Sequence, residues 1–484
     1  MGRTFRRPWV RTSRRPWART GGGVWAGCAR PAEYRHGVAA VPLEERQGWR
    51  ELAGWGRTAP TAARVRPLAD APAVLQAPPS RGVVARGLGR SYGDAAQNAG
   101  GTVLDATTAG ADIAIDVAAA TVRASAGVSI DTLLRRLVPL GLFVPVTPGT
   151  RFVTIGGAVA ADIHGKNHHR DGSIATHVVS LTLATPTGTC ELRPGDDLLW
   201  ATTGGMGLTG VILSVELRLL RIGAPVLVVD TDRAPDLDTV LALMDDGDDA
   251  YHYSVAWIDC LAKGRHLGRS VLTRGDFAPA GDGRAYAAGV RVTAPPVFPS
   301  GLVNPWTIRL FNEAWYRRAP AERRGELQSI PQFFHPLDGV GEWNRLYGRR
   351  GFLQYQFVVP VGEDGALRAA VERLAAAGGG SALAVLKRFG AAAEGHLSFP
   401  APGWTLALDL PVTPELGPLL DGIDELVAEA GGCVYLAKDS RLRPELVPVM
   451  YPRLGEWREV RDRADPGAVL ASDLDRRLHL TGHR

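Results

Sequence analysis

The chain is 484 residues long, with 45% hydrophobic and 22% charged residues, 58 glycines, 34 prolines and four cysteines. These proportions fit a globular enzyme and exclude collagen-like, disulfide-scaffold and wholly disordered chains, and the length calls for two or three domains. The formal charge of +5 suggests a polyanionic partner until it is located. Residues 1–40 hold nine arginines and one acid, Glu33, a balance of +8 that leaves −3 for residues 41–484.

Within those first residues Arg-Arg-Pro-Trp occurs twice, at Arg6–Trp9 and Arg14–Trp17, ahead of Gly21-Gly22-Gly23. Arginine with tryptophan suits a nucleic acid or an anionic lipid. Arg14-Arg15 also fits a twin-arginine export signal, but no apolar run of about 7–15 residues follows it. We read residues 1–40 as a disordered basic leader, with the true start expected at Val38 or Val41, and expect no nucleic-acid partner. From residue 41 nothing approaches about 18 consecutive apolar residues, so no transmembrane helix is expected. With no signal peptide either, the expected location is cytoplasmic or membrane-peripheral, the cell-envelope or periplasmic side not being excluded. Cys28, Cys190, Cys260 and Cys433 are far apart and show no Cys/His ligand spacing, so neither a disulfide framework nor a metal site is expected.

Short strand-like runs open the body: Gly82–Ala85, Thr102–Leu104, Ile113–Ile115 and Thr121–Ala124, divided by Gly and Asp turns. Ser129 caps a predicted helix that runs to Leu140 and stops at Gly141. Glycine-rich Thr154–Ala158 precedes a buried strand at His177–Ala184, and Gly204–Ile222 reads as a glycine turn feeding a strand at Val211–Leu220. Beyond Ile222, strands are expected at Tyr251–Ile258, Leu353–Pro360, Leu383–Arg388 and Trp404–Leu410, with helices at Gly365–Ala377 and Pro414–Ala430. That alternation implies an antiparallel sheet covered by helices, an α+β arrangement. Residues 441–482 read as a helical C-terminal piece.

The most distinctive local feature is Val84-Ala85-Arg86-Gly87-Leu88-Gly89-Arg90-Ser91-Tyr92-Gly93-Asp94. A strand entering Gly-x-Gly lets backbone N–H groups face a phosphate without Cβ obstruction. Neither the dinucleotide fingerprint nor the P-loop lysine is present. Further glycine turns follow at Pro145–Thr150, Thr154–Gly157 and Ala201–Gly210, with Asp162-Ile163-His164-Gly165-Lys166-Asn167-His168-His169 between them. Four such turns, each beside an apolar strand, could bring amides to one extended anionic ligand such as FAD.

Lysine usage adds a second signal. The chain has 51 arginines but four lysines, Lys166, Lys263, Lys387 and Lys438. Where solvated cations are arginine, a retained lysine is a candidate for work a guanidinium cannot do, as a compact ammonium of tunable pKa. Lys166, Lys387 and Lys438 lie in distinctive stretches, and we expect them to share one anion-binding or proton-handling site.

Together with Trp200–Gly205, Phe334–Asp338, Gly341–Asn344, Gly351–Phe357 and Ala437–Ser440, these motifs make the chain resemble the FAD-binding oxidoreductases of the vanillyl-alcohol oxidase type. Within that superfamily it is similar to the decaprenylphosphoryl-β-D-ribose 2′-oxidases of actinobacteria, over roughly residues 53–482. The resemblance implies an α+β fold: an FAD-binding domain at 45–224, an antiparallel-sheet substrate domain at 225–432, and a segment at 433–484 returning to the FAD domain. It implies that Ala85, Arg86, Gly87, Leu88, Gly89, Arg90, Ser91, Tyr92, Gly93, Asp94 and Ala95 bind the cofactor, with Gly87–Asp94 holding the pyrophosphate. Gly149, Thr154, Ile155, Gly156, Gly157, Ala161, Asp162, Ile163 and His164 would complete the flavin site, flanked by Ile212 and Tyr435. Many relatives attach flavin through a histidine in the first loop, where this chain has Arg90, so non-covalent FAD is expected.

The implied reaction takes hydride from ribose C2 of polyprenylphosphoryl-β-D-ribose to the flavin, giving a 2-keto sugar. This is the first half of an epimerisation that a separate NAD-dependent reductase completes on the way to the arabinose donor of cell-wall arabinan. Lys438, as base or electrostatic stabiliser, and His164 are the implied catalytic residues. Tyr92, Lys166, Trp257, Gln354, Gln356, Lys387, Phe389 and Lys438 would bind substrate, with peripheral membrane contact compatible with its lipid tail. One departure stands out: Ala407 occupies the strand position where mycobacterial members carry a cysteine to which nitro-aromatic inhibitors attach. The alternatives are an alditol or aldonolactone oxidase acting on a soluble sugar and, outside enzymes, a basic nucleic-acid-binding protein.

Overall fold

Three sheets of four or more strands carry the described chain, each built around strands whose apolar side chains recur at period two or run continuously. The computed structural model describes residues 48–281, 285–299, 301–378 and 380–482, so the leader expected at 1–40 lies outside the described residues. In the first sheet the Thr102–Asp105 strand, buried up to Leu104, lies between Thr61–Pro67 and Val83–Arg86, parallel to both, and Trp49–Leu52 closes the far side antiparallel. Parallel neighbours require a crossover, which the helix Ala71–Gln76 supplies by burying Val74 and Leu75. Val83–Arg86 is the outer strand. The C-terminal segment covers its edge through Val83 N to Val469 O and Ala471 N to Val83 O.

The second sheet is antiparallel, in the order Ile113–Asp116, Thr121–Ser125, Val211–Arg218, Val178–Thr185, Gly188–Leu192. Its covering helix, Ile130–Leu137, forms as expected: Ser129 accepts a hydrogen bond from Thr132 N, and Leu133, Leu134 and Leu137 are fully buried. Burying each of those leucines is worth about 1.5–3 kcal/mol. The chain then leaves the helix at Gly141, whose φ of +71° suits glycine.

The third sheet has eight antiparallel strands, from Glu322–Ser329 at one edge through Val226–Ala234, Ser270–Phe277, Tyr253–Ile258, Ala384–Phe389, Gly403–Pro411 and Phe352–Pro360 to Cys433–Val434. Leu406 and Leu408 alternate with Thr405, Ala407 and Asp409. The leucines pack in one core with Phe357 and with Leu367, Leu374, Leu420 and Val427 of the helices Asp364–Ala377 and Leu416–Glu429. The fold is α+β, as expected.

Other elements differ from the sequence reading. Thr154–Gly157, expected as a turn, begins the helix Ile155–Ala160 capped by Thr154, because Gly156 packs tightly against Ala126. The strands Val226–Ala234, Ser270–Phe277 and Glu322–Ser329 and the helix Pro305–Arg318 were not anticipated. The C-terminal helices Val447–Met450, Leu454–Ala464 and Asp473–Leu478 agree with the expected helical piece.

Arg461 fastens this C-terminal part. It is wholly buried, paired with buried Asp465 at 2.8 Å, and donates to the carbonyls of Leu208 and Leu470. Replacing one partner of such a pair strands the other. Arg461→Leu should lower stability by on the order of 3 kcal/mol, read as a shifted midpoint in urea unfolding at unchanged slope.

Candidate active site

The Val83–Arg86 strand delivers the chain into a cavity of about 820 Å³. At the turn, a Cβ on Gly87 would lie 2.1 Å from Thr154 Oγ1, and Gly89 has a φ of +64° beside the Arg86 guanidinium. Both positions therefore require glycine. Arg86 fixes the base of the loop by donating to Ala96 O and Ala53 O at 3.0 and 2.7 Å. The Arg90 guanidinium lies 3.7 Å from the Trp55 ring centroid. The backbone N–H groups of Gly87, Leu88, Gly89, Arg90 and Ser91 have no acceptor among the described residues. Five successive unpaired amides on a cavity wall fit the pyrophosphate of a dinucleotide.

The other glycine turns contribute differently. Ile155, Gly156 and Gly157 donate to Val128 O, Ala126 O and Thr154 Oγ1, while Gly204, Gly205 and Met206 donate to Val159, Thr202 and Ala160 carbonyls. Their amides are spent inside the protein, which corrects the expectation that all four turns present free donors. Their glycines allow close packing that shapes the wall instead. A Cβ at Gly149 would meet nothing within 4 Å. Its loop is held by Asp338, which accepts from Thr150 Oγ1 at 2.7 Å and Arg151 N at 2.8 Å.

The opposite wall is one face of the eight-stranded sheet. Trp257 pairs with Val385, Val385 with Ala407, Ala407 with Gln356, Lys387 with Thr405, and Gln354 with Asp409. Period-two alternation puts all these side chains on the face away from the covering helices. Gln354 donates to the Asp409 carboxylate, and Gln356 bonds His164 Nε2 at 2.9 Å and Thr405 Oγ1 at 2.9 Å. Lys387 Nζ reaches Gly165 O at 3.4 Å, Lys166 Nζ bonds Phe333 O and sits 4.2 Å from that ring centroid, and Lys438 Nζ lies 5.9 Å from the Tyr92 ring centroid.

Burial dominates the electrostatics. It pushes Lys166 down to about 7 and Lys387 well below the usual lysine value, the latter with added repulsion from Lys438 and Lys166. It also lowers Lys438 and raises Asp409, while attraction between the two opposes both shifts. His164 is held well below its ordinary value by burial, then by Lys387, Lys438 and His168. The wall carries Arg86, Arg90, Lys166, Lys387 and Lys438, and among the described residues no aspartate or glutamate lines it.

The structure thus brings Ala85–Tyr92, Ala95, Gly149, Thr154, Gly156, Gly157, Ala161, Ile163, His164, Lys166, Ile212, Trp257, Gln354, Lys387, Tyr435 and Lys438 to one cavity. Six expected residues stand behind its wall. Gly93 packs on Asp439 O, Asp94 is clamped by Arg477, and Ile155 is core. Asp162 accepts from Ser398 Oγ and Ala175 N, Gln356 backs His164, and the Phe389 ring lies 4.9 Å from that of His164. Trp55, Trp343, Asp409, Phe333 and Phe334 were missed. Asp409 alternates in register with Ala407 and could have been found by that spacing, whereas Trp55 carries no local signal. The described residues contain no group of three or more His, Cys, Asp and Glu placed to hold a metal.

Residues 63–192 match the model of an FAD binding domain. The chain is 43% identical over 452 residues to the decaprenylphosphoryl-beta-D-ribose oxidase of Mycolicibacterium smegmatis, covering 89% of this chain and 98% of that protein. The chain belongs to the decaprenylphosphoryl-beta-D-ribose oxidase family. It is also 42% identical over 371 residues to an uncharacterized protein in the mprA 5′ region of Streptomyces coelicolor, 73% of this chain and all of that one. A shorter match, 33% over 109 residues, links 20% of this chain with 19% of an L-gulonolactone oxidase 3 of Arabidopsis thaliana. Membership in the oxidase family and the FAD binding domain make the chain an FAD-dependent oxidoreductase.

Within this family frame, Gly87→Ala tests the cradle, because the added methyl must displace Thr154 or the loop. FAD titration of the apoprotein should show affinity weakened by about tenfold or more, near 1.4 kcal/mol, with the fold retained by circular dichroism.

Proposed function

We propose that the enzyme oxidises the C2 hydroxyl of polyprenylphosphoryl-β-D-ribose to the 2-keto sugar. This would be the first half of an epimerisation that a separate NAD-dependent reductase completes, toward the arabinose donor of cell-wall arabinan. The observation that carries the reading is a cavity lined by five cationic side chains and no carboxylate. A site where burial drives lysines toward neutrality lacks negative charge, and a phosphodiester supplies it where a neutral polyol does not. The wide match to a relative named for decaprenylphosphoryl ribose and the narrow match to a gulonolactone oxidase favour the same choice over a soluble sugar.

In this reading residues 45–224 and 433–484 bind FAD and residues 225–432 bind substrate, the cavity being walled by glycine loops on one side and sheet strands on the other. Bound FAD supplies the two-electron acceptor for the carbon-bound hydrogen. Lys438, lowered by burial, takes the hydroxyl proton onto Nζ in its neutral form, and Asp409 tunes that acceptance. Gln354 holds the Asp409 carboxylate in place. Lys166 and Lys387 bind the phosphodiester as compact cations. His164, kept neutral and fixed by Gln356, orients the sugar by hydrogen bonding without adding charge. Trp257 and Tyr92 confine the ring, and Phe389 backs His164. FAD is held without a covalent bond: Arg90 stands at the linking position, and no described cysteine is on the cavity wall. The lipid tail implies peripheral membrane contact, and among the described residues no helix is long and apolar enough to cross a membrane.

Anaerobic mixing of the FAD-loaded enzyme with polyprenylphosphoryl ribose should bleach the visible flavin absorbance, and persistence of the oxidised spectrum would refute the substrate. Lys438→Met should slow that bleaching by about 100-fold or more. Because Asp409 raises Lys438, Asp409→Asn should lower the lysine further and move the rising limb of the pH–rate profile to lower pH. A limb that stays put would remove Lys438 as the base.

Ala407 lines the cavity and offers no thiol. The intact mass of the denatured protein should equal that of the apoprotein before and after turnover with a nitro-aromatic inhibitor. A flavin adduct would contradict non-covalent binding, and an inhibitor adduct would contradict the role assigned to position 407.

A further inference from the structure

Among the described residues fourteen large hydrophobic side chains are exposed, and eight of them fall within residues 290–315. The helix Pro305–Arg318 carries the centre of this patch with its amphipathicity inverted. Its protein-facing side buries Ile308 and is otherwise held by polar contacts: buried Asn312 donates to Asp259 Oδ1 at 2.8 Å, Glu313 pairs with Arg269 at 2.7 Å, and Tyr316 donates to Ala234 O at 3.3 Å. Its outer side presents Trp306 and Leu310, 77% and 72% exposed, followed by Phe311 and Trp315 at about half exposure. Spacings of four between Trp306 and Leu310 and between Phe311 and Trp315 put the two pairs on one broad outward arc.

Charge selects the partner. Residues 285–318 contain four arginines, Arg291, Arg309, Arg317 and Arg318, and one acid, Glu313, which Arg269 and Arg317 already neutralise. Outward tryptophan, phenylalanine and leucine among arginines that outnumber the one acid four to one match the interface of a bilayer bearing anionic headgroups. The patch is also continuous with the cavity, because Phe311 and Trp315 line it together with Trp257 and Lys387.

We infer that the Pro305–Arg318 helix docks the enzyme on an anionic lipid surface, with the cavity mouth at the membrane. The docking itself follows from the helix surface. Its use, delivering a lipid-anchored substrate without full extraction from the bilayer, rests on the substrate proposed above.

The test sediments full-length, FAD-loaded protein with vesicles of equimolar phosphatidylglycerol and phosphatidylcholine, or of phosphatidylcholine alone. Wild-type protein should bind the anionic vesicles about tenfold more tightly than the neutral ones, and the double variant Trp306→Ser/Leu310→Ser should lose about tenfold of that affinity. Both proteins should unfold at the same temperature and oxidise a short-chain, water-soluble polyprenylphosphoryl ribose equally fast. Equal vesicle binding by the two proteins would assign lipid affinity elsewhere, residues 1–40 included, and overturn the inference. A wild-type dimer that the double variant converts to monomer would overturn it too, since the face would then belong to a second copy. Vesicle binding that depends on Trp306 and Leu310, with no oxidation of the soluble substrate, would support the docking surface and count against the substrate alone.

Discussion

The geometry of the site depends on one guanidinium. Arg477, on the last helix, forks onto Asp94 with contacts of 2.7 and 2.9 Å and reaches Asp439 at 2.8 Å. Asp94 ends the first glycine loop and Asp439 follows Lys438, so a residue far along the chain sets the distance between the phosphate cradle and the proposed base. The approach is close: a Cβ at Gly93 would sit 1.9 Å from Asp439 O, and Tyr92 N donates to Ala437 O. A planar bidentate donor can hold two carboxylates in this way where an ammonium cannot. The same helix also ties down the turn at Ala99, whose N–H donates to Asp473.

Lysine and arginine divide the electrostatic work. Arginines such as Arg461, Arg151 and Arg477 sit against carboxylates as structural clamps. Lys166, Lys387 and Lys438 sit in a cavity whose described wall has no carboxylate, where burial lowers all three and Asp409 behind the wall offsets the shift of Lys438. A guanidinium in those positions would keep its proton and could neither accept one from a hydroxyl nor yield to the arrival of a phosphate.

Much of this was legible in the sequence because it is local. Gly87 and Gly89 follow an apolar strand, Ser129 precedes an apolar helix, and the rarity of lysine singled out three residues that do meet at one cavity. What escaped had non-local or inverted causes. Gly156 and Gly157 read as a turn because two glycines break helices in isolation, yet they lie in the short helix Ile155–Ala160, which touches Ala126 where only Gly156 leaves room. The helix Pro305–Arg318 turns Trp306, Leu310, Phe311 and Trp315 outward and buries only Ile308 and Asn312, which blurs the pattern that marks a helix on a core. Trp55 meets Arg90 across 35 positions, and nothing near either residue announces the stacking.

The two ends of the large sheet have a bearing on solubility. The outer strand Glu322–Ser329 reads Glu-Arg-Arg-Gly-Glu-Leu-Gln-Ser and is almost wholly exposed, while the opposite end is the two-residue strand Cys433–Val434. A charged rim at one end and a stub at the other deny a neighbouring molecule a template for strand addition. An enzyme that carries an outward aromatic helix can thereby stay dispersed at high concentration without its long sheet seeding fibrils.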